Sequence, residues 1–103
     1  MTSMDASLGQ LVGLQYELQS ESFGVDPLRL TDEERVEFIR WNVLALTDEL
    51  HELLQEVGWK PWATSRHVNE SEAMGELVDA LHFFMNLLLA VAPRGSTPED
   101  VAA

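Results

Sequence analysis

Two long stretches of this chain, residues 31 to about 57 and 69 to about 92, repeat apolar residues at the α-helical period, and each carries a second stripe of different composition. In the first, Val36, Ile39, Val43, Leu46, Leu50, Leu53, Leu54 and Val57 share one side. Glu49, Glu52 and Glu56 fall about 130° round the same helix, with Phe38, Trp41, Asn42 and Ala45. In the second, Ala73, Leu77, Ala80, Leu81, Phe84, Leu87, Leu88 and Val91 form the apolar stripe, and Glu72, Glu76, Asp79, Phe83 and Asn86 the other, at a similar offset. Thr31-Asp-Glu-Glu34 and Asn69-Glu-Ser-Glu72 open these helices as capping boxes; Gly58 and Pro93 stop them. Two helices built alike and joined by a short connection are expected to pack antiparallel through one apolar face, with their acidic faces converging at the bundle edge or across a subunit interface.

A first helix is expected from a cap at Asp5 or Ser7 to about Ser22, with Leu8, Leu11, Leu14 and Leu18 on one stripe, before Gly24 and Pro27 break the pattern. Gln15 and Gln19 lie one turn apart on it, either as solvated amides or as a hydrogen-bonding pair. Thr97-Pro-Glu-Asp100 reads as the N-cap and first turn of a further helix. The fold class is therefore all-α, an antiparallel bundle of three main helices and the start of a fourth. At 103 residues it is a single domain, 1–103, whose limited core makes completion by dimerisation plausible.

Charge and composition exclude several functions. Eighteen Asp and Glu against six Lys and Arg give −12, the wrong sign for a general nucleic-acid or anionic-membrane surface. With no Cys there are no disulfides, thiolate metals or thiol nucleophiles. The N-terminus lacks the basic and apolar regions of a signal peptide, and the longest apolar run, residues 87–92, is short for a bilayer. A soluble cytoplasmic protein is expected.

The chemistry concentrates between Glu49 and Asn86. Glu49-Leu-His-Glu52 is answered by Glu76-Leu-Val-Asp79, and an i,i+3 pair sets both carboxylates on one side of a helix, a turn apart. Either pair alone is compatible with solvated helix surface. Two pairs on facing helices make half of an oxygen cage for Mg²⁺, which keeps water and phosphate oxygens in its other positions. Between them, Gly58-Trp-Lys-Pro-Trp62 and Ala-Thr-Ser-Arg-His67 form a loop whose exposed rings and cations suit a planar, anionic ligand such as a nucleotide; the alternative is that the Trp side chains plug the helix ends. His82, at the margin of the acidic stripe, reads as a structural hydrogen-bonder or a ligand-binding residue.

These residues together resemble the all-α NTP pyrophosphatase superfamily, nearest to the dimeric dUTPase branch and its MazG-like relatives. The resemblance runs from about Leu8 to Val91 and rests on E-x-x-E and E-x-x-D with Leu14-Gln15-x-x-Leu18, Lys60-Pro-Trp62 and Asp79-Ala-Leu-His-Phe83. It implies that Glu49, Glu52, Glu76 and Asp79 hold Mg²⁺, with Mn²⁺ as a substitute, and that Glu49 orients or deprotonates the attacking water. It implies also that Gln15, Trp62, His82 and Asn86 contact base and deoxyribose, and that Lys60 meets the phosphates. Where the dimeric dUTPases tend to carry Asn one turn after the first-helix Gln, this chain has Gln19, an amide of longer reach that leaves the base open. The family continues into a C-terminal helix whose Lys, Asn and Arg grip phosphates, and the expectation at Ala103 is twofold: either the sequence is cut short there, or the tail is frayed. The implied activity is hydrolysis of dUTP to dUMP and pyrophosphate by a homodimer; the alternatives are the same reaction on another nucleotide such as dCTP or a modified one, and a non-catalytic helical dimerisation module.

Overall fold

A computed structural model describes residues 3–102, with side chains from residue 8 to 101. It is built from four α-helices, α1 (Ser3–Glu17), α2 (Asp32–Gln55), α3 (Glu70–Val91) and α4 (Pro98–Ala102), with a π-helical turn, Leu18–Ser22, continuing α1. Among the described residues there is no strand; Val57 and Val68 form one isolated antiparallel bridge. The all-α expectation holds. The first helix begins upstream of both expected caps, so Asp5 and Ser7 lie inside α1. At the start of α2, Glu34 N donates to Thr31 Oγ1 at 3.2 Å and Thr31 N to Glu34 Oε1 at 2.9 Å, the two halves of the capping box. Asn69 stands at the N-cap of α3 but its side chain caps nothing.

Gly58 acts differently from the expected C-terminal stop. Its φ is not positive, and a Cβ there would run into the Ser65 carbonyl, so glycine is needed where the loop folds back on itself. The end of α3 has no basic residue of its own in its last turn. Arg35 of α2 supplies one, donating from Nε to Ala90 O (2.7 Å) and from an Nη to Ala92 O (2.9 Å).

Packing centres on α3, which touches α2, α1 and α4, whereas α1 and α2 share no packed face among the described residues. Val12, Met85 and Leu89 make a small apolar core between α1 and α3, joined by Tyr16, Leu28, Leu88 and Val101. The one-turn helix α4, opened by reciprocal bonds between Thr97 and Asp100, is held by this packing.

The seam between α2 and α3 reverses the sequence expectation. Val36, Val43, Leu50 and Leu54 of the first apolar stripe, and Leu77, Leu81, Phe84 and Val91 of the second, are exposed. Part of each second stripe is covered instead: Asn42 and Asn86 are buried and Glu49, Glu52, Glu56 and Glu76 half-buried, together with Ala73 and Ala80 of the apolar stripe. On α1, likewise, Val12 and Gln15 are buried while Leu11 and Leu14 are exposed. Apolar periodicity locates the faces that must be covered; within one chain it does not say by what. By length and by a mean hydropathy of 1.5 over its most apolar 18 residues, α3 meets the requirement for a membrane span that the count of consecutive apolar residues denied. Its four acids, its buried Asn86 and its contacts with three helices account for it as a core helix.

Candidate functional site

Three of the acids named from the sequence meet at the α2–α3 seam. One carboxylate oxygen each of Glu49, Glu76 and Asp79 lies within 4.8 Å of the others. Glu52 adjoins this trio through Glu76, whose hydrogen bond and charge raise the Glu52 carboxyl above the ordinary carboxylate range, with Asp48 adding to the effect. Glu76 is itself raised, first by hydrogen bonding with Glu49, and by the charges of Glu49 and Asp79. Crowded carboxylates that meet no cation keep protons they would lose in water. Glu49 Oε2 is buried and accepts no hydrogen bond, an arrangement that costs free energy unless a cation reaches it. A second trio, Glu56, Glu72 and Glu76, shares Glu76 and extends the acids toward the loop. Glu56 and Glu72 were visible on the second stripes, at i,i+4 from Glu52 and Glu76, but the E-x-x-E spacing drew attention away from them.

A chain of buried side chains continues the seam from the acids. His82 Nδ1 and Gln15 Oε1 are 2.6 Å apart, Gln15 Nε2 donates to Asn86 Oδ1 at 2.7 Å, Asn86 Nδ2 to Asn42 Oδ1 at 2.9 Å, and Asn42 Nδ2 to Phe38 O at 2.8 Å. Gln15, Asn42 and Asn86 are only 3%, 7% and 4% exposed, whereas His82 reaches solvent. Of these, Gln15, His82 and Asn86 were named from the sequence. Asn42 was not, although an amide on a stripe with Phe38 and Ala45 was the available signal. Gln19 lies half-buried in the π-helical turn, and its side chain joins none of these bonds among the described residues.

The loop between α2 and α3 is closed at its base by Gly58 N donating to His67 O (2.9 Å) and Asn69 N to Glu56 O (2.8 Å). Arg66, a candidate for phosphate by type, is occupied by the loop itself, donating to Gly58 O at 2.9 Å, Trp59 O at 3.3 Å and Pro61 O at 3.4 Å. Lys60 Nζ lies 5.8 Å from the Trp59 ring centroid and 5.9 Å from that of Trp62, which is 76% exposed. Trp62 therefore plugs nothing in this chain. A cleft of 260 Å³ opens on this loop, lined by Gln55, Trp59, Lys60, Ser65 and His67 among others. The other described cations are committed: Arg29 to Asp26, Arg40 to Glu37, Arg94 to Asp32 and Leu30 O, and Arg35 to the end of α3.

A family model described as dUTPase matches residues 2–98, nearly the whole chain. The chain belongs to the dUTPase family. No curated protein and no solved structure matches it. Membership in the dUTPase family, with a helical fold and no strands among the described residues, fits the all-α dUTPase-like and MazG-like superfamily and makes a nucleotide the class of substrate. The clustered acids supply groups able to bind the metal on which such enzymes typically depend.

Proposed function

We propose that this chain is a Mg²⁺-dependent nucleoside triphosphate pyrophosphohydrolase that converts dUTP to dUMP and pyrophosphate. The observation that carries the reading is the trio Glu49, Glu76 and Asp79 within 4.8 Å, with Glu49 Oε2 buried and unpartnered, in a member of the dUTPase family. All the donors are carboxylate oxygens, the set a hard divalent cation takes. Glu49, Glu52, Glu76 and Asp79 would hold Mg²⁺, or Mn²⁺ in its place. A divalent ion bound there neutralises the polyphosphate and makes water a better nucleophile.

The chain's own groups do the rest. Glu49 orients the attacking water and accepts its proton; the water oxygen bonds to phosphorus and the bridge between the α and β phosphates breaks, releasing pyrophosphate. Lys60, which has neither a carboxylate nor a carbonyl partner among the described residues, faces the phosphates. Trp62 stacks on the base, while Gln15, His82 and Asn86 recognise base and sugar from one side, with Gln19 beside them.

The unit proposed is one domain over residues 1–103 acting as a homodimer in the cytoplasm. Two features support the second copy. The outer faces of α2 and α3 expose Val36, Val43, Leu50, Leu54, Leu77, Leu81, Phe84 and Val91 together. The Cα radius of gyration, 16.2 Å, exceeds the roughly 13 Å of a compact domain of this length. Pyrophosphate release from each common deoxynucleoside triphosphate, with Mg²⁺ and with EDTA, tests the activity. Metal-dependent release fastest from dUTP is the expected result; release fastest from dCTP moves the substrate, and none from any nucleotide sinks the enzyme reading. Sedimentation equilibrium tests the dimer, against which a monomer at micromolar concentration would count.

A further inference from the structure

The buried amide chain has a direction, and that direction is fixed from one end. The Phe38 carbonyl has no hydrogen to give, so the Asn42 atom 2.8 Å from it is the nitrogen, and Oδ1 is left to face Asn86. Asn86 must then offer Nδ2 to Asn42 at 2.9 Å and turn Oδ1 to Gln15 Nε2 at 2.7 Å. Gln15 in turn presents Oε1, an acceptor only, to His82 Nδ1 at 2.6 Å. A hydrogen therefore sits on Nδ1. Turning any one amide over would set oxygen against oxygen and nitrogen against nitrogen among groups at most 7% exposed, where water is not at hand to replace the lost bonds.

We propose that Asn42 is a positioning residue that, acting through Asn86 and Gln15, holds neutral His82 as the Nδ1–H tautomer and so presents its Nε2 as a fixed acceptor. The side chain that reaches solvent is thereby given one polarity by a carbonyl four hydrogen bonds of the relay away. Resting on the nucleotide reading for the identity of the ligand, the group that meets His82 Nε2 must be a donor, an imide N–H or a hydroxyl. A group with only a lone pair at that point would be rejected, as sites built around a buried hydrogen-bond partner reject analogues that cannot complete it. The preference belongs to the relay, because an imidazole free in water favours the opposite tautomer and the hydrogen bond made at one ring nitrogen sets which form is held.

The deciding measurement is the long-range ¹⁵N–¹H correlation spectrum of the imidazole rings in the labelled full chain, at about pH 9 where an ordinary histidine is neutral. There are three histidines, and His82→Gln identifies the signal. In the unmodified protein the Nδ1–H pattern is expected to predominate at His82; predominance of Nε2–H overturns the proposal without any variant being needed. Asn42→Leu frees Asn86 and Gln15 to turn and should abolish the preference, whereas Asn42→Asp, charged or protonated, still accepts from Asn86 Nδ2 and should keep it. An unchanged His82 spectrum in Asn42→Leu, or loss of the preference in Asn42→Asp, overturns the relay. In parallel, the KM for dUTP in Asn42→Leu should rise by up to about tenfold, with kcat moving less. If the unmodified chain turns over no nucleotide, the reading of function fails, while the His82 spectrum still decides the relay.

Discussion

The seam that α3 makes with α2 and the one it makes with α1 and α4 are built from opposite materials. Val12 and Leu89 are fully buried against Met85 on the α1 side, where the contact is apolar apart from the Gln15 amide that bonds Asn86 and His82. Against α2, beside the buried Ala73 and Ala80, lie carboxylates and amides: Glu49, Glu52, Glu76, Asn42 and Asn86. One seam stabilises simply by removing apolar surface from water. The other is held in spite of repelling carboxylates and a carboxylate oxygen that no hydrogen bond satisfies. Stability and chemistry thus occupy different faces of the same helix, and substitutions on the two faces should separate them.

The largest effect on folding is expected at the apolar seam. Leu89→Ala leaves a cavity at a fully buried position and should cost about 2–5 kcal/mol, read from urea unfolding. Such a loss is a large part of the stability of a small domain. A cost below 1 kcal/mol, in the ordinary surface range, would show that the small core is not where this chain is held together.

At the acidic seam the pattern should invert. Glu52→Gln and Asp79→Asn are expected to reduce metal-dependent turnover by more than the ~10–100-fold that losing an outer partner of a metal ligand costs. Their melting temperatures without metal should equal or exceed that of the unmodified chain, because a repelling charge has gone. Turnover close to that of the unmodified protein in either variant would remove these acids from the site. Trp62→Ala makes the third member of the series: with its ring 76% exposed, folding should be unaffected, while nucleotide binding weakens by the roughly 1–3 kcal/mol of one stacked base. Calorimetric titration with a non-hydrolysable dUTP analogue and with Mg²⁺ alone distinguishes this from a loss of metal, which should not occur.

How much of the two seams the sequence discloses follows from what periodicity measures. The helices, the Thr31 capping box and the α4 start were legible because each depends on residues a few positions apart. The acids that meet were legible for the same reason, as i,i+3 pairs on equivalent stripes. Which stripe faces inward was not, because an apolar stripe declares only that it needs cover; Leu50 and Leu77 are exposed in the single chain while Asn42 and Asn86 are buried. Asn42 became interpretable only with its partners, from Phe38 O to Gln15, because the relay joins Asn42 to Asn86 across 44 positions and Asn86 to Gln15 across 71. Arg66 misled by type: its guanidinium serves three loop carbonyls, a demand created by the loop's fold and not by its composition.

The smallest effect should be the most diagnostic of the comparison, because it depends on ionisation alone. Glu52 and Glu76 are raised by neighbouring carboxylates, so from the ordinary carboxylate value of 4.5 upward the folded chain holds more protons than the unfolded one. Stability contributed by those protons is present below that value and is lost as pH rises through the raised folded values. Glu34 and Asp100 act in the opposite sense: hydrogen bonds from Thr31 and Thr97 hold them below their ordinary values, and their contribution is lost only as pH falls through the lowered range. Without metal, the melting temperature should therefore be higher at about pH 5 than at about pH 8, because the raised carboxyls give up in that direction the protons that stabilise the folded chain. Millimolar Mg²⁺ should narrow the difference from the alkaline side, since a cation binding the ionised acids stabilises the folded state by mass action. In Glu52→Gln the pH difference should shrink, whereas in Leu89→Ala it should persist at a lower temperature throughout. A metal-free melting temperature that rises from pH 5 to pH 8 would mean that the acids of the α2–α3 seam do not repel one another, and the contrast between the two faces of α3 would reduce to one of exposure.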